Sequence, residues 1–254
     1  GAENGESLVR DADAAMYSAK QRGRARCELF DERLRERITD RVRIENDLRP
    51  ALDRGEFEVH YQPIVTLLDG DTVAVEALLR WRHPTRGIVG PAEFVTVAEE
   101  TGLIVPIGAF VLDRACGQLA AWDAHGGALA GITMSVNLSA RQLPHAHLVA
   151  AVDSALATHG IEPRRLTLEL TEGMLMEEGV APAAAIAALR DLGVRVALDD
   201  FGTGFSSLSY LQRFPLDELK LDRAFVAGLG GSGREDAITG AVLAMAEALG
   251  DDGR

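Results

Sequence analysis

Six chemistry-bearing side chains each close an apolar run in this 254-residue chain: Glu76 ends TVAVE, Asn137 ends ITMSVN, Glu169 ends RLTLE, Asp199 and Asp200 end RVALDD, and Lys220 ends ELK. Five of them are oxygen donors, spread over four runs, with no His or Cys among them. That is the ligand inventory preferred by hard divalent ions such as Mg²⁺ or Mn²⁺. Carboxylates crowded into one place repel each other unless cations share the site. A two-metal centre, with ions about 3.5 to 4 Å apart, removes the repulsion and suits hydrolysis of a phosphodiester. For any single member a plainer reading competes: the alternation in RLTLELTE also describes a strand with one wet face. Applied to all the runs together that reading weakens, because a sheet covered by helices has no wet face.

The apolar runs themselves read as strands: FEVHYQPIV, TVAVEALLRW, ITMSVNLS, RLTLELTE, RVALDDFG and ELKLDRAF. Ala-rich amphipathic segments lie between most of them, including Ile107 to Ala124 and Val180 to Leu192. Strand, helix, strand repeated in this way predicts parallel strands with crossover helices. Only a turn-rich gap around LLDGDT separates the first two strands; it is too short for a crossover, so they should pair as an antiparallel hairpin. The fold is then an α/β barrel with an irregular start or an open doubly wound sheet. No GxGxxG or GxxxxGK[ST] follows a strand, which favours the barrel. In a barrel the reactive groups project from the C-terminal strand ends, where these residues are expected. Upstream, the first thirty residues read as a helix that breaks at Gly23, and Phe30 to Arg54 as a connecting helix ended by Gly55.

A net charge of −13 argues against a nonspecific nucleic-acid polymer binder or membrane-surface binder, both of which rely on basic surfaces. An anionic ligand would have to meet bound metal or a few placed Arg and Lys residues. The apolar runs are broken by charges and none approaches eighteen or so uninterrupted apolar residues, as a membrane helix needs, and GAENGESLVRDAD has no signal-peptide pattern. The two cysteines, Cys27 and Cys116, are too few for a disulfide framework, so a cytoplasmic setting with inert thiols is expected.

The strings EALLRW from Glu76, SVNLS around Asn137, LELTE around Glu169, DDFGTGFSSLSYL from Asp199 and LKLDR around Lys220 resemble the successive signatures of EAL domains. YQPIV and GPAEFVTVAEETGLI match as well, so the likeness runs from about Arg41 to Leu249. LVRDADAAMYSAKQRGR resembles the closing helix of a GGDEF domain. The implied layout is a GGDEF remnant over residues 1–30, a helical linker over 31–40 and an EAL domain over 41–254. The family pattern continues past LAMAEALG with a strand of the type LRVVAEGVE, whereas this chain reads DDGR. The EAL domain is therefore expected to be C-terminally incomplete, without the family's last metal-binding glutamate and the last two barrel strands.

The resemblance implies a TIM-like (β/α) barrel with an antiparallel first strand that linearises cyclic di-GMP to pGpG. By the same resemblance Glu76, Asn137, Glu169 and Asp199 hold one Mg²⁺ or Mn²⁺, and Asp199 with Asp200 the second, while Ca²⁺ binds without supporting hydrolysis. Glu76, Lys220 and Asp200 are the implied catalytic set, with Lys220 near the attacking water. Arg80 resembles the arginine that grips a phosphate, Gln62 and Leu79 are implied substrate contacts, and Glu172 resembles the glutamate that holds the loop after Asp200. Arg82 reads as a solvated side chain, and Gly202 and Gly204 as turn glycines. A homodimer through the helix from about Ser206 and upstream GGDEF and sensory domains, in a parent that could be membrane-anchored, are the implied partners. Two other functions compete: a degenerate domain that binds cyclic di-GMP or a protein without cutting, and a metal-dependent barrel hydrolase of another substrate.

Overall fold

The computed structural model of the chain describes residues 32–143, 147–176, 180–202, 214–227 and residue 240. The GGDEF-like helix, Cys27, Gly204, the helix expected from Ser206 and the last residues lie outside these.

Helix α1 (Glu32–Ala51) buries Ile44, Leu48 and Ala51, a spacing of four and three residues that forms one apolar stripe. It runs unbroken through residues 40 and 41. Gly55 turns the chain at φ +66°, a conformation that favours glycine, into β1 (Phe57–Val65). Strand β2 (Thr72–His83) returns antiparallel to β1, with Gln62 opposite Glu76 and Glu58 opposite Arg80. The hairpin is thus the one expected from the short gap. The short β3 (Gly87–Val89) and helix α2 (Pro91–Thr101) had no counterpart in the sequence reading. Helix α3 (Ile104–His125) leads to β4 (Thr133–Asn137), and α4 (His147–His159) to β5 (Leu166–Thr171). Next come α5 (Glu172–Met176), α6 (Val180–Asp191), β6 (Arg195–Phe201), β7 (Glu218–Leu221) and α7 (Arg223–Ala227). The strands expected over RLTLELTE and ELKLDRAF are shorter than their strings. Glu172 opens a helix, and Asp222 ends β7 by accepting the backbone N–H of Ala224 at 2.8 Å, in the manner of an N-cap.

The sheet order is β1-β2-β4-β5-β6-β7 with β3 on β2, and every pair from β2 to β7 along this path is parallel. One face of the parallel strands, carrying Val75, Met134, Val136, Leu166, Leu168, Val196 and Leu198, is buried against α3, α4 and α6. The helices supply Leu112, Cys116 and Leu119, Val152 and Leu156, and Ile186 and Leu189. The other face carries polar residues, and among the described residues helices cover one side only. That is the layering of a barrel rather than of a doubly wound sheet. Among the described residues no strand joins β7 to β1, so the TIM-like barrel is an unclosed arc. Helix α3 is long and apolar enough to cross a membrane, but Ile107, Val111, Leu112, Ala115, Cys116 and Leu119 are buried in the protein core. Burial, then the charge of Asp113, pushes the Cys116 thiol up to about 11, which keeps it unreactive.

A second core joins α1 to the far end of β2. Trp81, fully buried, packs with Phe57 and Phe94 at ring distances of 6.1 and 5.7 Å. His83 reaches Asp47 of α1 at 3.2 Å. At the opposite end of the barrel Asp123 ties α3 to β4 and β5. It accepts from Gly131 N at 2.9 Å and from both Nη atoms of Arg165, whose Nε donates to Ile132 O. Arg165 and then the Gly131 N–H hold the Asp123 carboxyl below its usual range. A depressed carboxyl contributes stability above its unfolded pKa that is lost as pH falls through the folded value. Asp123→Asn is therefore expected to melt earlier at neutral pH and to lose less of its stability on acidification towards about pH 3. Thermal unfolding across that range tests this; parallel acid limbs for the two proteins would refute it.

Candidate active site

Parallel pairing brings the predicted side chains together. Glu76 lies opposite Ser135, Asn137 opposite Glu169, Glu169 opposite Ala197, Ala197 opposite Glu218 and Thr171 opposite Asp199. Paired residues share a face, and so do residues two apart on one strand. Glu76, Asn137, Glu169, Asp199 and Lys220 therefore all project from the uncovered inner face. The sequence reading had Glu76 close the apolar run TVAVE within the longer strand candidate TVAVEALLRW. It is an interior residue of β2, which runs on to His83 because β1 and β3 pair with its extension. Glu76 is still level with the ends of the neighbouring strands, since β4 stops at Asn137.

The side chains meet. Asn137 Nδ2 donates to Glu76 Oε1 at 2.7 Å. Lys220 Nζ donates to Glu169 Oε2 at 2.7 Å and Glu76 Oε2 at 3.3 Å, and lies 3.6 Å from Asp199 Oδ1. Glu169 is 1 % exposed, and among the described residues its Oε1 has no hydrogen-bond partner. Burial pushes its carboxyl up against the pull of Lys220. Burial alone would lower Lys220, but the hydrogen bond and charge of Glu169, then Glu76 and Asp199, leave it raised and firmly cationic.

At the rim the ladder between β6 and β7 shifts register between Leu198 and Phe201, and Asp200 takes φ +54°, a left-handed geometry that Asp tolerates better than most residues. This turns Asp200 out to an exposed position beside Asp199. Burial, then repulsion from Asp199 and Asp222, holds the Asp200 carboxyl above its usual range. Glu172, buried at the start of α5, accepts the Gly202 N–H through Oε2 at 3.4 Å. It thereby touches the backbone just after Asp200.

Gln62 and Arg80 share the face of Glu76 through the β1–β2 register. Arg80 is half-buried and donates to its neighbour's carbonyl, Leu79 O, at 2.8 Å. Leu79 alternates to the other face and packs against both hydrophobic cores, so its side chain points away from Glu76. It nonetheless lines, with Leu78 and Asn137, a cavity of about 600 Å³ between β2, α2, α3 and the segment after β4. Arg82 is ion-paired to Glu58.

Three residues that sequence reasoning did not single out shape the segment after Asn137. Ser139 donates its hydroxyl to Glu99 Oε1 at 2.7 Å and its N–H to Gln142 Oε1 at 2.9 Å. The signal for Ser139 and Glu99 lay inside two quoted strings, SVNLS and GPAEFVTVAEETGLI, as polar residues among apolar ones, whereas Gln142 lies in neither.

The donor set and the orphaned buried oxygen of Glu169 suit a hard cation. Among the described residues, however, no three acidic, His or Cys side chains already surround a point as an ion's ligands would. The carboxylates converge on the Lys220 ammonium instead.

A family profile described as "EAL domain" matches residues 45–251. The bifunctional diguanylate cyclase/cyclic di-GMP phosphodiesterase MucR of Pseudomonas aeruginosa is 43% identical over 242 residues, covering 95% of this chain and 35% of MucR. Cyclic di-GMP phosphodiesterase PdeR of Escherichia coli is 38% identical over 243 residues, covering 96% of this chain and 36% of PdeR. The chain thus spans about a third of the length of these curated relatives. Among solved structures, the PaMucR phosphodiesterase in complex with c-di-GMP superposes with a TM-score of 0.75 at 45% identity, over 82% of this chain and 83% of that one. The EAL enzyme Bd1971 in its cAMP and cyclic-di-GMP bound form gives a TM-score of 0.77 at 29% identity, over 98% of this chain and 65% of that one.

Proposed function

Because the chain belongs to the EAL-domain family, whose enzymes are metal-dependent, we propose that it hydrolyses one phosphodiester of cyclic di-GMP to linear pGpG. The observation that carries this reading is the convergence of Glu76, Asn137, Glu169 and Asp199 on the inner face of the barrel arc, with one buried Glu169 oxygen unpartnered. Glu76, Asn137, Glu169 and Asp199 would hold one Mg²⁺ or Mn²⁺, and Asp199 with Asp200 a second, supplying the charge that polarises the phosphoryl oxygen and lowers the pKa of the attacking water.

The rest falls to the chain's own side chains. Arg80, on the same face as Glu76, offers a guanidinium to a phosphate. Gln62, directly opposite Glu76, offers amide hydrogen bonds to the same ligand. Lys220 brings its ammonium to the reacting centre and steadies negative charge there. Glu172 holds the Gly202 amide and so fixes the backbone that carries Asp200. The cavity beside Asn137, lined by Leu78, Leu79 and Val95, has the apolar walls and size to take one base of the dinucleotide.

The naming of MucR as bifunctional supports the proposed layout, in which residues 1–30 close a GGDEF domain, 31–40 link, and 41–254 form the phosphodiesterase. In it α1 acts as a stiff connector, anchored to β2 through His83 and Asp47. The proposed dimer contact through the helix after Asp200 lies outside the described residues.

The test is pGpG release from cyclic di-GMP with Mg²⁺ or Mn²⁺, with Ca²⁺ expected to permit binding without turnover. Binding without pGpG in any metal would leave a ligand-sensing module, and no binding by a folded chain would end the reading. Arg80→Ala, assayed in Ca²⁺ by calorimetry, is expected to weaken cyclic di-GMP binding by about 1.5 to 3 kcal/mol, the usual worth of a hydrogen bond to a charged group. Unchanged affinity would give Arg80 a purely structural role.

A further inference from the structure

We propose that Lys220 is the exchangeable cation of this site: its ammonium and the divalent ion compete for the same carboxylate oxygens, so that metal loading moves Lys220 off Glu169 and Glu76. The inference rests on the metal-holding role proposed above. Nζ sits at the focus of the cluster, 2.7 Å from Glu169 Oε2, 3.3 Å from Glu76 Oε2 and 3.6 Å from Asp199 Oδ1. Those three residues arrive on β2, β5 and β6, and the lysine on β7.

An ion needs these oxygens at about 2.0 to 2.6 Å, whereas an ammonium hydrogen bond holds them at about 2.7 to 2.9 Å. Two cations sharing the three oxygens would lie within about 4 Å of each other, a separation at which like charges repel strongly in a partly buried site. The lysine is the group able to move. Its side chain keeps 26% of its surface in solvent while that of Glu169 is wholly buried, and its four-carbon stem is flexible. Lys220 thus neutralises the buried carboxylates until the ion arrives. Once displaced, its charge is delivered to the rim where substrate binds.

Labelling can follow the movement directly, because the chain has only two lysines, Lys20 and Lys220. Reductive dimethylation of the unaltered protein, read by mass spectrometry with and without Mg²⁺, is expected to speed several-fold at Lys220 on Mg²⁺ addition while Lys20 stays constant. In parallel, Lys220→Met should bind Mn²⁺ about tenfold or more tightly than the unaltered chain by calorimetry, since no ammonium contests the oxygens. If Lys220→Met does not fold, the labelling experiment alone decides. No divalent binding by the folded, unaltered chain would overturn the metal site itself. Binding with labelling at Lys220 unchanged or slowed, or with Lys220→Met no tighter, would overturn only the exchange.

Discussion

Replacing Glu169 by Gln is expected to leave a folded protein in which the proposed release of pGpG is at least about a hundredfold slower than in the unaltered chain. The change keeps the side-chain volume, so the packing around a residue that is 1 % exposed is undisturbed. What goes is the charge on the most buried carboxylate of the cluster, on the strand between Asn137 and Asp199. Reacting groups tolerate little misplacement, and about 1 Å costs on the order of a hundredfold. Folding should be nearly indifferent. A neutral amide escapes the desolvation that raises the Glu169 carboxyl, and Lys220 keeps Glu76 and Asp199 as partners. The comparison is made at saturating Mg²⁺, with folding followed by circular dichroism; rates within threefold of each other would remove Glu169 from the chemistry.

The second large effect is expected at Gly202, which sits at φ +99° immediately beyond Asp200 and Phe201. A side chain there is strained by the backbone conformation alone. Its Cβ would also come within 2.4 Å of the Phe225 ring on α7. Gly202→Ala must therefore move the Phe225 ring, α7 or the strand end that carries Asp199 and Asp200, and movement of the strand end would pull the Gly202 amide from Glu172. Activity should fall by about a hundredfold, with a stability loss of about 2 to 4 kcal/mol from strain and overpacking together. The double variant Gly202→Ala, Phe225→Ala separates the two causes. It should recover part of the activity by removing the clash while keeping the strained φ. No recovery would mean that backbone conformation alone accounts for the loss, and full activity in Gly202→Ala would show that the strand end tolerates displacement.

Much of the candidate site was legible in the sequence because its signals are local. Each carboxylate closed or punctuated an apolar run, and a strand's period of two is written in consecutive residues. Harder to see were elements defined by their partners. β3 is three residues long and exists because β2 extends past the parallel sheet to pair with it. For the same reason Glu76 lies deep inside its strand, whereas Asn137 ends β4 and Glu169, Asp199 and Lys220 lie close to the ends of theirs. Leu79, a substrate contact by resemblance, packs against both hydrophobic cores and also lines the cavity beside Asn137, a double placement that only the packing of α2 and α3 on β2 reveals.

From sequence alone came the six strands, the antiparallel hairpin that a gap around LLDGDT forces, and an oxygen-rich donor set without His or Cys. These depend on propensity, spacing and side-chain chemistry within a few residues. Tertiary structure decided which of those side chains touch. Glu76 and Asn137 are 61 positions apart and Glu76 and Lys220 are 144 apart, so their meeting depends on the parallel register of β2, β4, β5, β6 and β7. Burial followed from the same register: it left Glu169, on a central strand of the inner face, almost without solvent and put the Lys220 ammonium among three carboxylates.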